Sequence, residues 1–221
     1  MNRIAAVYVG GIRPLPPEGH PSGIFKAAVS GPVLLGPEGL RGDEQADRRV
    51  HGGPWKALHH YAAENYARLA AAFPDKAALF VPGSFGENVS TRGWAEDTVC
   101  IGDVFRIGAA TVQVSQPRQP CWKLNHKFGE EELMRFVAEH CVAGWYYRVL
   151  ETGAIAAGDR LRTGRARNAE PVSLRRLWFA FRAHRPDPAE LARLRDIAGA
   201  VAELGAEDRP APRMARKERL R

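Results

Sequence analysis

A chain of 221 residues, 45% hydrophobic and 26% charged, has the make-up of a soluble globular protein that can bury a core in one ordinary domain plus a smaller one. No apolar run approaches the roughly 20 residues of a membrane-spanning helix. The residues after Met1 lead into a strand-like stretch rather than a signal peptide, and three cysteines show no CxxC or zinc-type spacing. These features exclude a helical membrane anchor and a disulfide framework, and they predict a cytoplasmic location. The net charge of +7 is uneven: residues 160–221 hold 16 Lys and Arg against 8 Asp and Glu, whereas residues 1–159 hold 16 against 17. The basic excess reads as a solvated, Arg-rich helical face. No groove-reading motif accompanies it, so no nucleic-acid partner is expected.

In chain order, residues 4–9 and 24–30 read as strands. Residues 56–73 read as a helix, with Leu58, Ala62, Tyr66, Leu69 and Phe73 at helical spacing and Pro74 ending it. Strands follow over 98–107 and 111–116, with turn chemistry at Gly102-Asp103 and Gly108-Ala109. A second helix spans 130–141. It buries Leu133, Phe136 and Val137, and its acidic first turn suits the helix dipole. Residues 145–150 and 159–162 read as closing strands. Many short strands with two inserted helices predict a mainly β fold with α, a small barrel rather than a βαβ array.

A boundary falls near 164–171, dividing a first domain at 1–165 from a helical domain at 166–221. Leu174, Leu177, Trp178 and Phe181 form one apolar stripe. Asp187-Pro188-Ala189-Glu190 carries N-cap, N1 and N3 signals, and Leu191, Leu194, Ile197, Val201 and Leu204 continue that helix. The segment after Pro212 is basic.

The run Ser115-Gln116-Pro117-Arg118-Gln119-Pro120-Cys121-Trp122-Lys123-Leu124-Asn125 carries the most chemistry. Pro117 and Pro120 fix φ and remove donors, so the run reads as a stiff loop presenting one thiol. Beside Arg118 and Lys123 that thiol reads as a thiolate, either a nucleophile or a metal ligand; alone, it would read as a small buried hydrophobe. Cys100 and Cys141 lack such a setting and read as structural. His51-Gly52-Gly53-Pro54 places an imidazole beside a close-approach backbone, either as a donor or acid at a site or as a structural hydrogen-bonder in a tight turn. His59 and His60, adjacent on the expected helix, point to different faces, which argues against zinc. Asn88 reads as a site residue or a turn residue, and Arg148 as a ligand contact or a cover for the barrel edge.

Three blocks occur in order: Gly42-Asp43-Glu44-Gln45-Ala46-Asp47 followed by His51-Gly52-Gly53-Pro54; Pro82-Gly83-Ser84-Phe85-Gly86-Glu87-Asn88; and the 115–125 run. With Gly144-Trp145-Tyr146-Tyr147-Arg148-Val149 they resemble the YiiM-like branch of the MOSC family, named for the C-terminal domain of molybdenum cofactor sulfurases. The resemblance covers residues 1 to about 163. The helical remainder is similar to the three-helix domain that follows MOSC in that branch.

The resemblance implies a MOSC-type β-barrel with inserted helices that holds a molybdenum cofactor, with Cys121 as the protein's metal ligand. A soft thiolate suits that role and leaves positions open for oxo groups and substrate. Arg118 then offers a fork to the pterin phosphate, Lys26 and Lys123 offer point charges, and Gln119 and Asn88 could bond the pterin edge or the oxo groups. Related reductases read Phe-Arg-Pro-Asn where this chain reads Phe85-Gly86-Glu87-Asn88. By the same resemblance the chain is expected to reduce N-hydroxylated small molecules, such as hydroxylaminopurines, amidoximes and hydroxylamines. Cys121, His51 and Glu87 are its candidate catalytic residues, the last two as proton suppliers. The chain carries no flavin, haem or iron–sulfur motif, so electrons are expected from a separate reductase. The rival reading is a carrier that passes the cofactor or a persulfide onward from Cys121. A third makes the basic C-terminal helices a docking surface.

Overall fold

The computed structural model describes residues 2–164, 170–183 and 187–195. Its strands are β1 (Val7–Val9), β2 (Arg13–Leu15), β3 (His20–Ser22), β4 (Ala27–Val29), β5 (Val33–Gly36), β6 (Gly39–Leu40), β7 (Leu58–Ala62), β8 (Val89–Thr91), β9 (Val104–Ile107), β10 (Ala110–Pro117), β11 (Trp145–Glu151), β12 (Gly153–Ile155) and β13 (Leu161–Thr163). Its helices are α1 (Arg48–His51), α2 (Glu64–Ala72), α3 (Lys123–Phe128), α4 (Leu133–His140), α5 (Leu174–Arg182) and α6 (Pro188–Arg195). Eight strands join in the order β13-β9-β10-β11-β7-β8-β1-β4, with a three-stranded sheet β12-β5-β6 and the hairpin β2-β3 beside them.

Mixed α and β content around one large sheet agrees with the expected class, but the strands do not close into a barrel. Among the described residues the ladder is open, with β4 and β13 at its edges. One isolated bridge, Arg3 to Arg160, joins the stretch leading into β1 to the stretch leading into edge strand β13. It is flanked by bonds from Leu161 N–H to Asn2 O at 2.7 Å and from Ile4 N–H to Asp159 O at 2.9 Å.

The largest departure from expectation lies at residues 56–73. Leu58–Ala62 is not helix but a buried strand near the middle of the sheet, antiparallel to β11 and parallel to β8. Positions i and i+4 share a face in a helix and also in a strand, so Leu58 and Ala62 fit both readings. The sheet here separates two cores, which buries all five residues and hides the alternation. Leu58 and Ala62 pack into the core of β1, β9, β10 and β11. Tyr61 enters a second core with Tyr66, Leu69, Phe85, Leu124, Phe128, Leu133 and Val137, built from α2, α3, α4 and the 80–85 segment. Only α2 survives from the expected helix, ended by Pro74 as read.

His60 lies in the first core. Its Nδ1 meets the Tyr147 hydroxyl at 2.9 Å and its Nε2 meets Thr91 Oγ1 at 2.8 Å. Burial pushes its pKa from 6.5 down to about 3. Between those values the unfolded chain takes up a proton that the folded chain refuses, so this site makes stability fall as pH falls, by about 1.4 kcal/mol per pH unit. Buried Glu87 and Glu96, whose pKa values burial raises, act in the opposite sense. His60→Gln isolates the histidine: urea titrations between pH 4 and 6 should show its unfolding free energy declining less steeply than wild type by about 1.4 kcal/mol per pH unit.

Past the sheet, Leu174, Leu177 and Leu194 join the first core, so α5 and α6 pack on the same interior as the strands. Trp178 Nε1 donates to Ala138 O and Arg175 Nη1 to His140 O, both at 2.9 Å, tying α5 to α4. Asp187 caps α6 through Oδ1, which accepts from Ala189 N–H at 3.0 Å. The remainder of the expected α6 stripe (Ile197, Val201, Leu204), the expected segment after Pro212 and the boundary at 165–169 lie outside the described residues.

Candidate functional site

β10 delivers the thiol. Its register shifts between Val114 and Gln116, a bulge that bends the strand end and lets Ser115 Oγ donate to Trp55 O at 2.5 Å. Pro117 closes the strand opposite Trp145, Arg118 N–H bonds Gly144 O at 3.0 Å, and α3 begins at Lys123. The expected stiff loop is therefore shorter than 115–125: strand runs through Pro117 and helix resumes two residues past Cys121. Gly144 makes the crossing possible. Its φ is 83°, and a Cβ there would lie 2.3 Å from His60 O.

Cys121, half-buried, opens onto a solvent-open cleft with about 620 Å³ of empty space, also lined by Lys26, Asp43, His51, His59, Asn88, Arg118, Lys123 and Tyr146. Gly23 shapes one wall, where a Cβ would stand 2.1 Å from Glu44 O and force the 22–26 and 43–46 loops apart.

His51 ends α1, whose N-cap Asp47 accepts from Arg49 N–H at 3.1 Å. Its Nε2 stands 3.8 Å from Cys121 Sγ. Burial, then the charges of Arg118, Lys123 and Lys56, push the His51 pKa down to about 4. At neutral pH it is an uncharged hydrogen-bonding partner for the sulfur. The same three cations give the cleft a positive field that favours an anion.

Lys26 and Asp43 form a buried ion pair at 2.6 Å, with side chains 7% and 3% exposed. Burial lowers the Lys26 pKa and Asp43 opposes that shift. Asp43 also accepts from Asn88 Nδ2 at 2.9 Å and from Gly10 N–H at 3.1 Å. Asn88 gives its other donor contact to Tyr8 O at 3.1 Å, and its Oδ1 accepts from His59 N–H at 3.0 Å. Its amide is thus engaged by protein on every side, and its role here is to brace Lys26 and β7.

Arg118 is 7% exposed, and its Nη1 is buried with no hydrogen-bond partner among the described residues. Lys123 Nζ donates to Pro21 O at 2.7 Å at the cleft rim. Gln119 is exposed and outside the cleft lining.

The MOSC domain profile matches residues 47–162. Protein YiiM of Escherichia coli (strain K12) is 48% identical over 151 residues, covering 68% of this chain and 67% of that protein. The chain belongs to the MOSC domain family. The crystal structure of YiiM from Escherichia coli superposes with a TM-score of 0.76 at 32% identity, over 93% of this chain and 89% of that one. A protein named Reductase from Gibberella moniliformis (strain M3125 / FGSC 7600) is 38% identical over 141 residues, 63% of this chain but only 25% of its own length.

Within this MOSC chain, the residues at the cleft fit an anionic, soft-metal cofactor. An unpartnered buried guanidinium N–H is costly and calls for an acceptor that the described residues do not supply. Among the described residues no group of three or more His, Cys, Asp or Glu could hold a metal. A lone thiolate suits a metal that brings its other ligands with it.

Glu87 does not reach the cleft. Its carboxylate accepts from the Tyr66 hydroxyl, from Gly83 N–H at 2.5 Å and from Phe85 N–H at 3.0 Å, so it holds the 82–86 turn onto α2. The sequence suggested a proton supplier; the structure puts three donors around a buried acceptor instead. Glu87→Gln should cost about 1–3 kcal/mol of stability in urea unfolding, while any turnover that the wild-type chain supports stays within about twofold. A hundredfold loss of turnover in a well-folded variant would return Glu87 to the chemistry.

Cys141, in left-handed conformation at φ 52° capping α4, has its thiol pushed up to about 12 by burial, which keeps it inert. Half-buried Cys100 bridges Ser173 instead of lying in β9. His59 and His60 do face opposite ways, but because they alternate on a strand. Arg148 neither lines the cleft nor covers a sheet edge: it lies on β11, inside the sheet, stacked 4.6 Å over Trp55 and donating through Nε to Gln113 of β10 at 2.8 Å.

Sequence reading missed Asp43 as the hub of the cleft and His59 and Tyr146 as its lining. It also missed Lys127, whose Nζ donates to Ile24 O and Ser84 O, at 3.1 and 2.5 Å, and pins two cleft loops. Burial lowers its pKa to about 8. A correct strand assignment for Leu58–Ala62 would have exposed His59, because alternation then separates it from His60. Lys127 had no such signal, since α3 itself was unread.

Proposed function

We propose that the chain binds a molybdenum cofactor through Cys121 and reduces N-hydroxylated small molecules with electrons from a separate reductase. The observation that carries this reading is the pairing of a half-exposed thiol with a buried, unpartnered guanidinium N–H in one positively charged cleft. When bound, the cofactor would supply two-electron oxygen-transfer chemistry. Cys121 would hold it. Arg118 would donate to its phosphate, with Lys26 and Lys123 adding charge at either side. His51 would fix the sulfur through Nε2 and face the reacting group as the nearest exchangeable proton. Asp43 and Asn88 would keep Lys26 in place.

Reduction of N–OH to N–H consumes an electron pair and protons and releases water, so an outside electron source is part of the reading. The 38% identity to a protein named Reductase supports it. The test is molybdenum and pterin content after purification from a host that makes the cofactor, followed by substrate-dependent reoxidation with an artificial electron donor. A folded chain lacking both molybdenum and pterin rejects the reading. A loaded chain that turns over no hydroxylaminopurine, amidoxime or hydroxylamine points to a carrier.

A further inference from the structure

At the far end of the sheet from Cys121, Arg3, Arg106, Arg160 and Arg162 share one outer face and wall a concavity of about 1000 Å³ open to solvent. Strand alternation puts them there: their neighbours Ile4, Phe105, Ile107 and Leu161 are buried in the core. The register then sets like against like. Arg162 lies opposite Arg106 in the β13–β9 pair, and Arg3 lies opposite Arg160 in the isolated bridge. Like charges directly across a ladder destabilise it. Among the described residues no acid forms an ion pair with them. Arg3 Nη1 donates to Gly158 O at 2.6 Å, and the one acid lining the concavity, Asp159, accepts through Oδ2 from Ala156 N–H at 2.8 Å. Arg106 pairs with Thr111 near the start of β10, whereas Cys121 follows its far end, roughly 20 Å of strand away. This face is separate from the cleft.

We propose that this staggered arginine cluster binds the di- or triphosphate group of a small phosphorylated anion. Residues across a ladder stand about 5 Å apart, and alternate residues along a strand about 7 Å apart. Four guanidinium forks on that grid can each take phosphate oxygens pairwise. A duplex would ask for a stripe or groove of cations, and this patch is a confined hollow with Asp159 in its wall. A local rule broken at a stability cost is what binding sites do.

The probe is inorganic tripolyphosphate added to the full chain at near-physiological salt, read by calorimetry and thermal unfolding. It should bind and raise Tm. The Arg160→Gln/Arg162→Gln double variant should bind at least about tenfold more weakly, and its ligand-free Tm should rise because a repulsion is gone. Arg106→Gln, read in the same way, guards against a double variant that folds poorly. Arg118→Gln, which removes the cleft's unpartnered cationic donor, should bind tripolyphosphate as wild type does, which separates this site from the cleft. Absence of binding at millimolar tripolyphosphate, or equal binding by the arginine variants, overturns the proposal. Tighter binding to a short DNA duplex than to tripolyphosphate would also overturn it, in favour of a nucleic-acid surface.

Discussion

Cys121→Ala is expected to abolish retention of molybdenum and, with it, reduction of N-hydroxylated compounds, while leaving the fold intact. The thiol is half-buried and its one described polar contact is His51 Nε2 at 3.8 Å, so its removal disturbs little packing. Losing an outer-shell partner of a metal typically costs about 10–100-fold in affinity, and losing the proposed protein ligand itself should exceed that. Elemental analysis of the variant beside wild type, prepared identically, gives the answer. Cys121→Ser sharpens it: a harder oxygen donor should recover little of the metal. Full molybdenum and full turnover in Cys121→Ala would remove the thiol from its assigned role.

Asp43→Ala should produce the largest stability loss among single changes at the cleft, about 3–5 kcal/mol. Among the described residues the carboxylate is the only acid bonded to buried Lys26, and it also accepts from Asn88, Gly10 and Gln45. Without it a cation stays in a desolvated site with a pKa that burial already lowers. In a chain of this size such a loss lowers Tm by roughly 10 °C. A double-mutant cycle in urea identifies the cause. Lys26→Met with Asp43→Leu should recover much of the deficit, because a buried pair costs most when broken and far less when both charges leave. A single variant losing under about 1 kcal/mol would mean that solvent reaches the pair.

The cleft itself was only partly legible. Cys121, His51, Lys26, Arg118 and Lys123 were singled out from the chain and do converge on one cavity. Gln119 and Glu87 were singled out on the same grounds and do not. A motif says which residues stand close in sequence, but strand alternation and loop packing decide which way each side chain turns. Asn88 shows the difference plainly: it lines the cleft, yet three protein groups already occupy its amide.

Composition, proline and glycine placement and the ordered motif blocks by themselves determined the class of fold, the family, and the position of the Cys121 thiol between a strand and a helix. Those are local or pattern-level properties, set by φ restriction, turn chemistry and residue type. Tertiary structure alone decided that residues 58–62 are a central strand, that among the described residues the large sheet stays an open ladder, and that Asp43 organises the site. Each depends on what faces a residue from elsewhere in the chain. Burial on both faces erases the periodicity by which a strand is read, and an ion pair between Lys26 and Asp43 exists only once two loops are packed together.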